Sequence, residues 1–250
     1  SFAAARQHAA EALLGRQDGA LLGTPNNILG IEYCKSLQAI QAPIRPMTIR
    51  REGAAHDGEA LDGIASASAV RQLLRSGGRE SALDLMAPAM REVFLREEKA
   101  GRAPVFAEIC QRSMLAKLRT MTREEFAALD EGNEGLGNRL FSLSRTAATL
   151  AELLDAAKTK RYAYARLRRM VLWAYLGLTP AEVPAEVPYL RVLAANAVGC
   201  ALLARIKKTA SVPVLTKPAD VRKLSTEAQT LFALEARAAD LYALAYPDLS

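Results

Sequence analysis

The chain has 250 residues, of which 33 are Lys or Arg and 27 Asp or Glu, a formal charge of +6; half of it is apolar but only 6% aromatic. That length allows one large or two modest domains with a real core, and an apolar content dominated by Ala and Leu favours closely packed helices and excludes a mostly disordered chain. Three scattered cysteines (Cys34, Cys110, Cys200) and two histidines exclude a disulfide framework and a Cys/His zinc pattern, while the longest apolar run, residues 192–204, is too short to cross a bilayer, so a cytoplasmic location is expected.

In chain order, residues 2–14 have helical apolar spacing and stop at Gly15. Thr24-Pro25 opens a second helix, with Ile28, Leu29, Ile31 and Leu37 expected to face inward. Pro43 and Pro46 discourage helix, and Met47–Arg51 reads as a short strand, followed by a polar, glycine-bearing loop over 53–63. Ser66 to Leu74 reads as a helix ended by Ser76-Gly77-Gly78. From Glu80 onward helical periods dominate, broken at Pro88, Pro104, 132–137 and the proline-rich linker 180–188. The strand signal is confined to the first third, and a boundary is expected near residue 80.

Four constellations could carry chemistry. Ser66, Ser68 and Arg71 open a helix after a glycine loop, where hydroxyls, helix N–H groups and a guanidinium could cradle a phosphate. Asn26 and Asn27 offer amides at a helix start, suited to a base edge or ribose. Arg50 and Arg51 end the expected strand on opposite faces, near His56-Asp57. Finally, Lys158, Lys160, Arg161, Arg166, Arg168 and Arg169 fall within twelve residues that hold no carboxylate and are interleaved with Tyr162 and Tyr164. Cations attract phosphates and tyrosine faces accept unstacked bases. On one continuous helix, Arg161 and Arg168 nearly superimpose, with Lys158 and Arg169 close to that stripe and Arg166 turned away. Lys207 and Lys208 belong to a second basic stretch, from Arg205 to Lys217. Plainer readings stand beside these: helix caps, turns and solvated surface charge. Cys34, lacking a histidine partner, reads as a core residue. Walker loops, nucleophile elbows and His-Glu-x-x-His are not found in the sequence.

In order along the chain, Ser1-Phe-Ala-Ala-Ala-Arg6, Pro25-Asn-Asn-Ile-Leu-Gly30, Ile49-Arg-Arg51 with His56-Asp57, Ile64-Ala-Ser-Ala-Ser-Ala-Val-Arg71, Glu134-Gly-Leu-Gly-Asn-Arg139, Lys158-Thr-Lys-Arg-Tyr162, Pro188-Tyr-Leu-Arg-Val-Leu193, Ser211-Val-Pro-Val214 and Glu235-Ala-Arg-Ala-Ala-Asp240 resemble the tRNA(Met) cytidine acetate ligases. These are nucleotidyltransferase-like proteins of the superfamily that carries His-x-Gly-His. The resemblance implies a mainly α chain: residues 1–80 as the C-terminal part of an α/β, Rossmann-like nucleotidyltransferase domain with one or two short strands, and 81–250 as a helical, tRNA-binding domain. It implies ATP with Mg2+, acetate and elongator tRNA(Met) as reactants, the acetyl group passing through acetyl-adenylate to the N4 amine of the wobble cytidine. By position it implies ATP contacts at Asn26, Asn27, Arg50, Arg51, Ser66, Ser68 and Arg71. It implies tRNA contacts at Lys158, Lys160, Arg161, Arg168, Arg169, Lys207 and Lys208, and assigns no catalytic residue. The family segment Glu-Tyr-Asn-Pro-x-His-x-Gly-His does not occur in this sequence, so the chain is expected to be the C-terminal portion of a longer enzyme and inactive in adenylation by itself. Two rival classes remain open here: another adenylyltransferase acting on a small substrate, and a non-catalytic helical RNA-binding module.

Overall fold

A computed structural model describes residues 2–49 and 65–249, so Arg50, Arg51, His56 and Asp57 lie outside the described residues. The chain divides into two compact units, Ser1–Met86 and Ala87–Ser250.

In the first unit, α1 (Phe2–Leu14), α2 (Arg16–Gly19), a 3-10 turn over Ala20–Gly23 and α3 (Pro25–Ala39) follow one another, then α4 (Ala67–Arg75) and α5 (Arg79–Asp84). Gly15, at φ +87°, makes the reversal from α1 to α2. Gly19 is buried, and a Cβ there would come within 2.4 Å of the Glu11 backbone, so only glycine lets the turn lie on α1. Arg6 pairs with Glu32 at 2.6 Å and ties α1 to α3. Pro25 occupies the first turn of α3, where its missing N–H costs nothing. Ile28, Ile31 and Leu37 are half-buried as expected, but Leu29 is exposed, turned about 100° from Ile28 and about 160° from Ile31 around the helix. The expected strand at Met47–Arg51 is not found over its described part: Met47–Ile49 has no regular secondary structure and no ladder partner among the described residues. A strand exists only with a ladder partner, and Pro43 and Pro46 remove two donors just before it. Ser66 caps α4, its hydroxyl accepting the Ala69 N–H at 3.1 Å. Gly77, at φ +85°, closes it, with the Gly78 N–H donating to the Leu73 carbonyl at 2.8 Å. Val70, Ala82, Leu83 and Met86 are buried beneath this α4–α5 corner.

The second unit opens with α6 (Pro88–Lys99), then packs α7 (Gln111–Thr120), α8 (Arg123–Ala128), α9 (Leu136–Ser144), α10 (Leu150–Ala157) and α11 (Tyr164–Leu176) around one apolar core. Its centre is Leu118, Phe126, Leu136, Leu140, Leu153, Leu167 and Met170, with Leu136 and Leu140 four apart on α9 and Leu167 and Met170 three apart on α11. Thr122 and Glu125 form a reciprocal capping box at α8, and Thr149 caps α10. Arg119 donates to the carbonyls of Ser144 (2.9 Å) and Ala147 (2.8 Å), and Arg139 to that of Ala157 (3.0 Å). Each guanidinium thereby satisfies carbonyls that the ends of α9 and α10 leave unpaired.

Beyond this bundle come β1 (Leu190–Arg191), α12 (Ala197–Thr209), β2 (Val214–Leu215) and α13 (Thr226–Ala243). The strands pair in parallel, Leu190 against Val214 and Arg191 against Leu215, with α12 as the crossover. Tyr189, Leu215 and Ala228 form a small core beneath them, and Arg191 reaches Glu235 of α13 at 2.6 Å. Strand signal in the first third is therefore corrected: among the described residues both strands lie in the second unit. Two residues are too few to show a period of two, so these strands leave no pattern in the sequence. Among the described residues no helix is long and apolar enough to cross a membrane.

Candidate functional site

The start of α4 is the first candidate. Ser66 is buried and its hydroxyl is engaged as the N-cap, so it shapes the turn. Ser68 accepts a hydrogen bond from Arg71 Nη2 at 3.3 Å, which folds the exposed guanidinium back toward the helix start. No carboxylate occupies the first turn of α4. A positive helix end, a hydroxyl and a guanidinium thus converge, and an anion placed there gains from all three. Asn26 and Asn27 are both exposed in the first turn of α3, where no side chain of Thr24 caps the helix. Arg50 and Arg51 lie outside the described residues.

The basic stretch after Ala157 differs from its reading as one helix. Lys158 leaves α10 in extended geometry (ψ 133°), residues 159–163 form a turn, and α11 begins only at Tyr164. Thr159 makes that turn, its hydroxyl accepting the N–H groups of Arg161 (3.2 Å) and Tyr162 (3.1 Å). A single face combining Lys158, Arg161, Arg168 and Arg169 is accordingly corrected. Tyr162 is buried, its hydroxyl donating to the Glu134 carbonyl at 2.6 Å, so it offers no stacking face. Tyr164 is partly exposed, with Lys158 Nζ 5.5 Å and the Arg168 guanidinium 5.7 Å from its ring centre.

The carboxylates missing from this stretch arrive from elsewhere. Glu131 and Glu134, in the α8–α9 connection, meet Arg169 at 2.5 Å and Arg161 at 3.5 Å. Between them lies Arg166, which donates to the Glu131 carbonyl (2.9 Å), Asn133 Oδ1 (2.9 Å) and Glu134 Oε2 (3.3 Å). Its Nε sits 3.0 Å from Glu131 Oε2 but off the hydrogen-bond line. The hydrogen bond from Arg166, and then the charge of Arg161, hold the Glu134 carboxyl below the ordinary glutamate value. This connection is unusual in its backbone: Glu131 and Glu134 both have positive φ (63° and 57°). A Cβ on Gly132 or Gly137 would fall 2.4 or 2.8 Å from the Phe126 carbonyl oxygen. Arg166, Glu131 and Glu134 are thus the organising residues of this surface. Sequence reasoning missed two of the three because the carboxylates stand some thirty residues from the cations; the glycine-rich 132–137 segment was the available signal.

Among the described residues, Lys158, Lys160 and Arg168 make no ion pair, unlike Arg161 and Arg169. On α12 and beyond, Lys207 donates to Thr216 Oγ1 at 3.0 Å and Lys208 is exposed. Lys223 first, and then Lys217 and Lys207, hold the Asp220 carboxyl below its ordinary range, so these three lysines share one neighbourhood. Cys34 is exposed on α3, which corrects its reading as core. Among the described residues no group of three His, Cys, Asp or Glu side chains is placed to hold a metal ion.

A protein-family model, HIGH Nucleotidyl Transferase, matches residues 1–250. The chain is 33% identical to the tRNA(Met) cytidine acetate ligase of Acetivibrio thermocellus over 237 residues, covering 90% of this chain and 57% of that protein. It is 30% identical to the tRNA(Met) cytidine acetate ligase of Caldanaerobacter subterraneus over 254 residues, covering 100% and 63%. The crystal structure of Thermotoga maritima TmcAL in an apo form aligns over 100% of this chain and 63% of its own, with a TM-score of 0.90 and 27% identity. The same enzyme bound with alpha-thio ATP aligns with a TM-score of 0.88. The chain therefore spans less than two thirds of the length of these relatives.

Proposed function

The chain belongs to the HIGH nucleotidyl transferase family, and we propose that it works as part of an ATP-dependent ligase that acetylates the N4 amine of the wobble cytidine in elongator tRNA(Met). The observation that carries this reading is the similarity, over the whole chain, to a solved enzyme whose crystals hold an ATP analogue. Residues 1–80 would then complete a nucleotidyltransferase domain and 81–250 would meet the RNA.

The reaction has two steps. A carboxylate oxygen of acetate attacks the α-phosphorus of ATP and pyrophosphate leaves, with Mg2+ accompanying the triphosphate as part of the substrate. The cytidine N4 amine then attacks the acetyl carbonyl, loses a proton, and AMP departs. Activation is needed because an oxide is a poor leaving group, whereas AMP leaves readily from a mixed anhydride. Charge accumulates on phosphate oxygens in the first step, and the start of α4 with Ser68 and Arg71 is suited to receive it. Ser66 holds that turn in shape, and Asn26, Asn27, Arg50 and Arg51 are assigned to the nucleotide. In the second step the cytosine must be unstacked and held near the adenylate, which requires RNA contacts at a distance. Lys158, Lys160, Arg168, Lys207 and Lys208 are assigned to phosphates; Arg161 and Arg169 contribute less, since Glu134 and Glu131 partly neutralise them.

The test uses the natural gene product and its Arg71→Ala variant. Acetate-dependent ATP–pyrophosphate exchange should fall by about tenfold or more, as expected for the loss of a charge-assisted hydrogen bond of about 1.5–3 kcal/mol. Binding of tRNA should be unchanged. Normal exchange with weakened tRNA binding would move Arg71 to the other site and overturn the assignment.

A further inference from the structure

The corner where α10 hands over to α11 brings together an aromatic ring, a carboxylate and two cations. Tyr164, the first residue of α11, is 37% exposed, whereas Tyr162 beside it is buried. Its hydroxyl donates to Oδ1 of Asp155, on the last turn of α10, at 2.5 Å, which holds the ring from its far end. Lys158 Nζ and the Arg168 guanidinium stand 5.5 and 5.7 Å from the ring centre. Atoms in contact lie about 3.5–4.0 Å apart, so both cations border the ring without resting on it. Phe141 is the contrast: the guanidinium groups of Arg123 and Arg145 press to 4.5 and 4.3 Å from its centre. Among the described residues Lys158 and Arg168 make no ion pair. Asp155 is exposed, and its only hydrogen bond among them is the one that Oδ1 accepts, so Oδ2 keeps its acceptor sites.

This set matches what one unpaired nucleotide presents: a π face for the ring, edge donors for the carboxylate, and phosphates on either side for the cations. A carboxylate accepts the N4 amine of cytosine. Uracil has a carbonyl at the same place and meets the carboxylate with a repelling oxygen. We propose that Tyr164, Asp155, Lys158 and Arg168 form a subsite for one unpaired RNA base that carries an exocyclic amine, cytosine first and adenine second. The base stacks on Tyr164, its amine donates to Asp155 Oδ2, and its flanking phosphates meet Lys158 and Arg168. This inference deepens the proposed function and rests on its RNA substrate. Phosphate contacts position an RNA without reading it, and Tyr164 with Asp155 adds the reading.

Hexacytidylate and hexauridylate RNA carry equal charge, so the ratio of their affinities for the natural gene product cancels the phosphate contribution and reports the base. The protein should bind hexacytidylate at least about fivefold more tightly. Asp155→Asn should bring that ratio to about twofold or less while leaving hexauridylate bound as well as before or better. Tyr164→Leu should weaken both RNAs about tenfold, the loss of one stacked base, with the log–log salt slope unchanged. Lys158→Ala should weaken both and lower the slope by up to about one unit. An Asp155→Asn variant that keeps the wild-type ratio overturns the subsite, and this readout stands even where Tyr164→Leu fails to fold. Equal affinity of the wild type for the two RNAs, or a folded Tyr164→Leu variant that binds both as the wild type does, overturns it too; acetylation of tRNA(Met) by the same preparation then leaves the proposed function standing. A protein that binds neither these RNAs nor tRNA(Met) overturns the subsite and the RNA substrate together.

Discussion

Replacing Arg166 with alanine should be the most damaging single change to the charged surface of the second unit, even though that surface contains five other cations. The side chain is 19% exposed and holds the carbonyl of Glu131 and the amide oxygen of Asn133 at 2.9 Å each. A hydrogen bond from a charged donor is worth about 1.5–3 kcal/mol, and two made by one guanidinium are not fully additive, so a loss of about 3 kcal/mol is expected. Glu131 and Glu134 sit in the left-handed region, which side chains other than glycine occupy only when neighbours hold them there. For a unit of this size that loss is a drop of about 6–12 °C in Tm. Arg168→Ala, whose guanidinium only overlies Tyr164, should cost less than about 0.5 kcal/mol. Denaturant unfolding followed by circular dichroism measures both variants, and Arg166→Lys should recover only part of the loss because an ammonium cannot span both oxygens. Equal stability of the Arg166→Ala and Arg168→Ala variants would refute the assignment of Arg166 as the clamp of this connection.

Three further outcomes follow from the same geometry. Glu134 has a depressed carboxyl pKa, so its stabilising effect is complete above the ordinary glutamate value and is lost as pH falls through the lower folded value; the stability gap between wild type and Glu134→Gln should be flat from about pH 7 to about pH 5 and vanish at lower pH. A gap that widens on acidification would contradict the pairing with Arg166 and Arg161. Gly137→Ala should destabilise by about 1–3 kcal/mol in urea titrations, because its Cβ would sit 2.8 Å from the carbonyl oxygens of Gly132 and Phe126; tolerance would mean that the α8–α9 connection is looser than described. In tRNA binding across a salt series, Lys160→Ala should reduce the log–log slope by up to about one unit, Arg169→Ala by less, and Glu134→Gln should steepen it by releasing Arg161; an unchanged slope in all three would shift the RNA surface toward Lys207, Lys217 and Lys223.

The helices and their ends were legible where a local signal exists. Gly15, Pro25, Ser66, Gly77 and Pro88 each start or stop a helix by properties of one residue's backbone or side chain, and those boundaries stand. The β1–β2 pair was illegible because two-residue strands held by a crossover carry no periodicity. Met47–Ile49 has strand composition, but composition cannot supply a ladder partner. The basic stretch was read as one helix since nothing in its composition breaks helix; Thr159 stops it by bonding the N–H groups of Arg161 and Tyr162, a local competition that propensity does not register. At the candidate site, Ser68 and Arg71 were found together from spacing on one helix. The balance of charge around Arg166 could not be read, because Glu131 and Glu134 reach it only through the tertiary packing of α8, α9 and α11.

The central claim is that this chain serves a ligase that joins acetate to a tRNA base. Its most direct test is to incubate the natural gene product with ATP, isotopically labelled acetate and elongator tRNA(Met), digest the RNA, and identify the labelled nucleoside by mass spectrometry. The account predicts label in N4-acetylcytidine at the wobble position, dependent on ATP and abolished when ATP is omitted. A folded protein that binds ATP and tRNA(Met) yet leaves the label entirely in free acetate would contradict it.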